Sequence, residues 1–171
     1  MVRRYKGNLF SDSLFILFII DCDGVLTDGM IPRRFNIYDG LGLKMIMQKG
    51  VKVIILSGAN SNDIQERANE LNLTECYLGI KNKEKIVRNL IQSNGLNVNE
   101  VSYMGDDLND LLALKEVGFP IAPKNAIKEV KKYVKYITKN QGGNGAVREV
   151  CNLWLKQYEK NKSKNFSKKN I

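Results

Sequence analysis

Leu14-Phe15-Ile16-Leu17-Phe18-Ile19-Ile20-Asp21-Cys22-Asp23-Gly24-Val25-Leu26-Thr27-Asp28-Gly29 is the stretch whose reading decides the fold. Residues 14–20 are apolar without a break, and the run stops at an acidic, glycine-containing turn. A short, continuous apolar run fits a strand covered on both faces, as in a parallel sheet; a half-exposed strand would alternate. The run is far too short to span a bilayer. Arg3, Arg4 and Lys6 precede it like the basic region of a leader peptide. However, Asp12 interrupts the approach, and Asp21-Cys22-Asp23 stands where cleavage would need small residues. The expectation is a cytoplasmic protein with no membrane association.

Further apolar runs follow at residues 51–56 and 101–104, with weaker ones at 76–78 and 120–122. Stripes at helical spacing lie between them. Leu41, Met45 and Ile46 end at Gly50, a natural residue just past a helix C-terminus. Ile64, Ala68 and Leu71 follow, with Asn62 and Gln65 spaced as a capping box. Ile86, Val87, Leu90 and Ile91 are stopped by Asn94-Gly95; Leu108, Leu111 and Leu112 open another stripe; Val147, Val150, Cys151, Trp154 and Leu155 form the last. Each is expected to be a core face. Strand and helix alternate, which predicts an α/β fold: a Rossmann-like parallel sheet flanked by helices and joined by right-handed crossovers. The connections are too short for a large inserted domain. The expected organisation is an N-terminal arm at 1–13, one domain at 14–158, and a Lys-rich flexible tail at 159–171.

Composition narrows the chemistry. The chain has 171 residues, 43% hydrophobic and 26% charged, enough for one full core. Histidine is absent, so a Ser-His-Asp triad, a His-ligated zinc and an imidazole base are excluded. Cys22, Cys76 and Cys151 are odd in number and widely spaced, which fits free thiols in a reducing compartment. The net charge is +9, but residues 156–171 hold six Lys and one Glu, or +5, leaving +4 for the rest. The basicity sits largely in the tail, so a nucleic-acid partner is not expected, whereas a mildly basic body suits a small anionic substrate.

Open α/β sheets bind ligands at the carboxyl ends of their strands. Asp21 and Asp23 follow the first run, Ser57-Gly58 the second, and Gly105-Asp106-Asp107-Leu108-Asn109-Asp110 the run at 101–104; Lys83 opens a helix between them. Carboxylates so grouped repel one another unless a cation joins them, and hard oxygen ligands with open positions favour Mg²⁺. A metal held by Asp21 and Asp106 leaves Asp21 an oxygen with which to attack a phosphoryl group. Asp23, two residues on, is placed to protonate the leaving oxygen and then to activate water. Ser57, the backbone at Gly58, and Lys83 can hold phosphate oxygens. Cys22 is a poor nucleophile, since acidic neighbours raise a thiol pKa and strand alternation points it away.

These motifs, in this order, resemble the haloacid dehalogenase superfamily: Asp21-Cys22-Asp23-Gly24-Val25, Ser57, Lys83 and Gly105-Asp106-Asp107-Leu108-Asn109-Asp110. More narrowly the chain is similar to the capless sugar-acid phosphatases. That likeness rests on the 23–29 segment, Asp39-Gly40-Leu41-Gly42, Tyr77-Leu78-Gly79-Ile80-Lys81-Asn82-Lys83 and the glycine-rich stretch from Gly142 to Cys151. The resemblance implies an Mg²⁺-dependent phosphomonoesterase with Asp21 as nucleophile and metal ligand. Asp23 would be the acid-base, its backbone carbonyl on the metal. Asp106 would complete the ligands, with Asp107 nearby and Asp110 structural. It further implies 3-deoxy-D-manno-octulosonate 8-phosphate as substrate, within lipopolysaccharide synthesis, with a nonulosonate 9-phosphate as the alternative. Four subunits would assemble, and Arg148 would contact the sugar carboxylate, in a neighbour's site.

Two departures stand out. Relatives have a longer β-hairpin where this chain keeps only Met30-Ile31-Pro32-Arg33-Arg34, and they read Thr-Gly-Arg where it has Ser57-Gly58-Ala59. Arg33, Arg34 and Arg67 are the candidates to replace the lost guanidinium. A catalytically weak subunit is the competing expectation that these departures raise. A phosphoacceptor switch is disfavoured, because its acceptor Asp follows a middle strand.

Overall fold

The protein is described by a computed structural model that covers Phe10 and residues 13–168, with side chains through residue 164. Its strands are β1 (Leu17–Ile20), β2 (Lys52–Leu56), β3 (Cys76–Tyr77), β4 (Val101–Met104), β5 (Phe119–Ala122) and β6 (Tyr136–Ile137). All pair in parallel, in the order β3-β2-β1-β4-β5-β6. β1 is central: Ile20 lies opposite Ile55 on one side and Met104 on the other. β1 to β4 are interleaved with α1 (Ile37–Met47), α2 (Asn62–Glu70) and α3 (Lys83–Ser93); α4 (Leu111–Lys115), α5 (Lys128–Lys131) and α6 (Ala146–Lys168) follow.

Strand alternation divides the core in two. Phe18, Ile20, Val53, Ile55, Met104 and Ile121 face α1, α2 and α6, meeting Leu43, Ile46, Ile64, Val147, Val150 and Trp154. Leu17, Ile19, Ile54, Leu56, Val101 and Tyr103 face α3, α4 and α5, meeting Val87, Leu90, Leu114 and Val130. Both faces are covered, which is why the strands read as near-continuous apolar runs, with Lys52 and Ser102 the polar exceptions in β2 and β4. Phe10 and Phe15 are fully buried and pack with Phe119. Phe10, which falls within the segment expected to be an arm, is thus part of the core. Truncating either ring to Ala removes about 3–5 kcal/mol.

Several local expectations are corrected. The two-residue strand β6 was not anticipated: Tyr136 and Ile137 are too few to stand out between Lys135 and Lys139. Leu108 and Leu112 are exposed at 59% and 53%, so only part of their stripe is a core face; α4 is too short to bury the rest. Leu41 is also exposed. The expected Asn62–Gln65 capping box does not form. The cap position falls on Ser61, whose hydroxyl donates to Asp63 (2.5 Å), while Gln65 donates to Asn69 (3.1 Å). The boundary expected after residue 158 falls inside α6. Tyr158 stacks on Trp154 and Gln157 donates to Asn161 (2.8 Å), and Lys is a good helix former. The end of the Lys-rich segment, 169–171, lies outside the described residues. Among the described residues, no helix is long and apolar enough to cross a membrane.

Candidate active site

The sheet order reverses direction between β1 and β4, and a crevice opens there at the carboxyl ends of the strands. Asp21 leaves β1 at this point, its N–H still bonded to Met104 O (2.9 Å). Its Oδ1 accepts from the Cys22 N–H (2.7 Å) and from Lys83 Nζ (2.9 Å). Its Oδ2 makes neither of these contacts. Residues Cys22–Leu26 then curl into a tight loop closed by Thr27 N–H to Cys22 O (3.1 Å). Gly24 has φ +77° in that loop, and a Cβ there would collide with the Asp106 carboxylate. Glycine is required on both counts.

Under the loop lies a buried polar network. Lys83, at the start of α3, is fully buried and also reaches Asp110 Oδ1 (2.7 Å). Tyr103, on β4, donates its hydroxyl to the same oxygen (2.6 Å). Asp110 Oδ2 accepts the N–H groups of Asp106 (3.0 Å) and Asp107 (3.2 Å). Asp110 is therefore saturated and holds the Gly105–Asp107 turn in place. Asp107 is exposed and caps the following turn through Leu108 N–H (2.7 Å). Ser57, at the end of β2, is buried; its Oγ accepts from Ala59 N–H (3.1 Å), and Gly58 follows it.

Charge is out of balance here. Carboxylate oxygens of Asp21, Asp106 and Asp110 lie within 4.8 Å of one another. Three negative groups thus face the single positive charge of Lys83. Burial first, then Asp110, pushes Asp21 up to about 8, although Lys83 pulls the other way. Burial, then Asp110 and Asp107, pushes Asp106 up to about 7. Burial works against the Lys83 ammonium, yet Asp21 and Asp110 outweigh it and raise its pKa. Burial and the flanking Asp23 and Asp21 push the Cys22 thiol up, so it stays protonated. An excess of buried carboxylate oxygens, with free capacity on Asp21 and Asp106, is a donor set that fits a hard divalent cation.

The remaining expected residues sit apart from this cluster. The Asp23 carboxylate is not among the oxygens that converge there; Arg33 grips it, at 2.6 and 2.8 Å. The carboxylates that converge are thus Asp21, Asp106 and Asp110. Arg148 lies along α6, donating to Asn152 (2.8 Å) and reaching Tyr38 O (3.5 Å), so within one chain it does not meet the acidic cluster. Of the three candidate guanidiniums, only Arg33 touches an expected site carboxylate. Arg67 is held by Asn36 O and Glu70. Arg34 lines a cleft of about 470 Å³ with Asp28, Phe35 and the Gln141–Asn144 stretch.

Sequence reasoning missed three supports. Tyr103 had a signal: a tyrosine hydroxyl in a strand buried on both faces must find a partner. Asn125 had none; it donates to Gly24 O (2.9 Å) and accepts from Gly142 N–H (2.7 Å), tying the loop to the glycine-rich stretch. Asp39 is fully buried and accepts from the N–H groups of Arg148 (2.7 Å) and Gly145 (3.3 Å), capping α6 from α1. That is the physical reason for its place in a motif. A Cβ at Gly142 would strike the Gly24 carbonyl, and one at Gly143 the backbone of Asp28.

An Asp-x-Asp closing the central strand, an acidic turn on its neighbour across the switch point and a lysine between them define a hydrolase of the haloacid dehalogenase class. A family model described as haloacid dehalogenase-like hydrolase matches residues 77–150. The chain is 34% identical over 152 residues to the 3-deoxy-D-manno-octulosonate 8-phosphate phosphatase of Yersinia pestis, covering 84% of this chain and 81% of that enzyme. It belongs to that phosphatase family. The Moraxella catarrhalis phosphatase, solved with magnesium ion, phosphate ion and KDO, superimposes with a TM-score of 0.80 at 38% identity, over 83% of this chain and 86% of that one. The cobalt-bound Haemophilus influenzae enzyme gives 0.80 at 33%, over 83% and 88%.

Proposed function

We propose that the chain is an Mg²⁺-dependent phosphomonoesterase that hydrolyses 3-deoxy-D-manno-octulosonate 8-phosphate through an aspartyl-phosphate. The observation that carries this reading is Asp21: its Oδ1 is anchored by Lys83 and Cys22 N–H, and its carboxylate stands within 4.8 Å of Asp106 and Asp110 oxygens. The substrate assignment is supported by the names of the relatives from Yersinia pestis and Moraxella catarrhalis. Asp21, Asp106 and the Asp23 carbonyl would hold the cation. Bound Mg²⁺ supplies positive charge for the phosphoryl oxygens and relieves repulsion between the carboxylates.

Asp21 Oδ2 attacks phosphorus, and the bond from phosphorus to the sugar oxygen breaks. Asp23 delivers its proton to that oxygen, releasing the free sugar acid. The Asp23 carboxylate then takes a proton from water, whose oxygen attacks phosphorus. The bond from Asp21 to phosphorus breaks, and inorganic phosphate leaves. Lys83 holds Asp21 in register and, with Ser57 and the backbone at Gly58, meets the phosphate. The cleft beside Arg34 and the glycine-rich stretch has room for the sugar. Exposed Met30, Ile31, Ile37, Tyr38 and Leu41 suit a homo-oligomer, the tetramer being the expected form, with Arg148 serving a neighbour's substrate.

The test is phosphate release from octulosonate 8-phosphate and from a nonulosonate 9-phosphate, with and without Mg²⁺. Metal-dependent release from the first, lost in Asp21→Asn, is expected. Release from the second alone would move the substrate and keep the chemistry. A folded, Mg²⁺-binding protein that releases phosphate from neither would overturn the reading.

A further inference from the structure

Arg33 comes from the shortened 30–34 segment and turns inward, its side chain only 13% exposed. Its Nε donates to Asp23 Oδ1 (2.6 Å) and its Nη2 to Asp23 Oδ2 (2.8 Å). This is a two-pronged fork, which fixes the plane of a carboxylate as well as its position. The third nitrogen, Nη1, reaches Ser61 Oγ (3.3 Å) and Asp63 Oδ2 (3.3 Å). Asp63 is itself secured by the Ser61 hydroxyl and by Ile64 N–H (2.9 Å) in the first turn of α2. The result is a strut from the α2 N-terminus through Arg33 to Asp23. Apart from it, among the described residues, the Asp23 carboxylate has only the long contact from Thr27 Oγ1 (3.4 Å) and is 40% exposed.

We propose that Arg33 is the positioning residue of the leaving-group step. It fixes the plane and place of the Asp23 carboxyl group, so that the protonated form meets the departing oxygen and the ionised form, which the fork then holds, takes a proton from water; Asp63 with Ser61 holds Arg33 in turn. This role rests on the phosphatase reading above. It explains how a chain with so short a segment after Gly29 still orients its acid: the segment brings a guanidinium to a fixed helix end and needs no hairpin of its own.

A positioning role leaves a mark that a merely structural role does not. An alkyl phosphate expels a poor leaving group and depends on proton delivery; p-nitrophenyl phosphate expels a stable anion and does not. In Arg33→Met, kcat/KM for octulosonate 8-phosphate is expected to fall roughly 10²-fold, with the aryl ester within about threefold of wild type. Arg33→Lys, which cannot fork both oxygens, falls between. Asp63→Asn shows a smaller loss confined to the alkyl ester. Equal losses on both esters, no loss, or a faster alkyl reaction would each overturn the role. The Arg33 Nε–H resonance gives a reading independent of turnover: it is expected to exchange slowly in wild type and to be lost in Asp23→Asn. A slow signal in a protein that cleaves neither ester would sink the phosphatase reading, and this role with it, while leaving the contact standing. A fast-exchanging signal in an active enzyme would sink the strut alone.

Discussion

Replacing Asp106 with Asn is expected to make the metal-free protein more stable at pH 8, although it removes a carboxylate proposed to hold the cation. The Asp106 pKa rises from 3.8 to about 7, chiefly through burial and then through Asp110. Between those two values the folded chain keeps a proton that the unfolded chain has released. Stability therefore falls as pH rises through this window, and the penalty is absent below it. About three units at ~1.4 kcal/mol each put the cost of the ionised carboxylate on the order of 4 kcal/mol at pH 8. Asp21, raised to about 8, acts in the same direction and steepens the fall in wild type. For a domain of this size, 4 kcal/mol corresponds to roughly 10 °C in Tm. The assay is thermal unfolding in chelator from pH 5 to 8, then with Mg²⁺. Wild type should lose stability with rising pH, and the variant should lose much less. At a hundredfold excess over its Kd, Mg²⁺ should return about 2.7 kcal/mol to wild type and little to the variant. A variant that melts below wild type at pH 8 in chelator, or that gains as much from Mg²⁺, would refute the reasoning.

Lys83→Met should leave two buried carboxylates facing each other, costing about 3–5 kcal/mol in denaturant melts and abolishing turnover. Tyr103→Phe removes only the hydroxyl that meets Asp110. It should cost about 1.5–3 kcal/mol and lower kcat more than it raises KM, as steady-state kinetics would show. Gly142→Ala forces the Gly24 carbonyl to move, so turnover should drop by roughly 10²-fold while circular dichroism stays unchanged.

The parts of the molecule that were legible in the sequence are those where one physical demand acts alone. A strand buried on both faces must be mostly apolar, so β1, β2 and β4 stood out despite Lys52 and Ser102; β6, two residues long among lysines, could not. Acidic residues at strand ends announced Asp21 and Asp106, because the switch-point rule needs only the order of elements. Contacts between distant segments were not legible. Nothing local to Arg33 tells that its fork closes on Asp23, and nothing near Asn125 tells that it bridges Gly24 and Gly142. The exposure of Leu108 and Leu112 shows the converse limit: helical spacing gives a face but not what covers it.

The Asn125 bridge and the α6 cap also bear on the order in which the chain is made. Every acidic residue of the cluster has been synthesised once Asp110 is in place. Asn125 comes 101 residues after Gly24, and the Gly145 and Arg148 amides that hold Asp39 come 106 and 109 residues after it. Gly142 and Gly143 arrive in the same late stretch. A growing chain therefore carries all three clustered carboxylates while the loop that follows Asp21 still lacks its support. Synthesis through residue 148 is what lets that loop gain its support, and fragments ending before this stretch hold the clustered carboxylates without it.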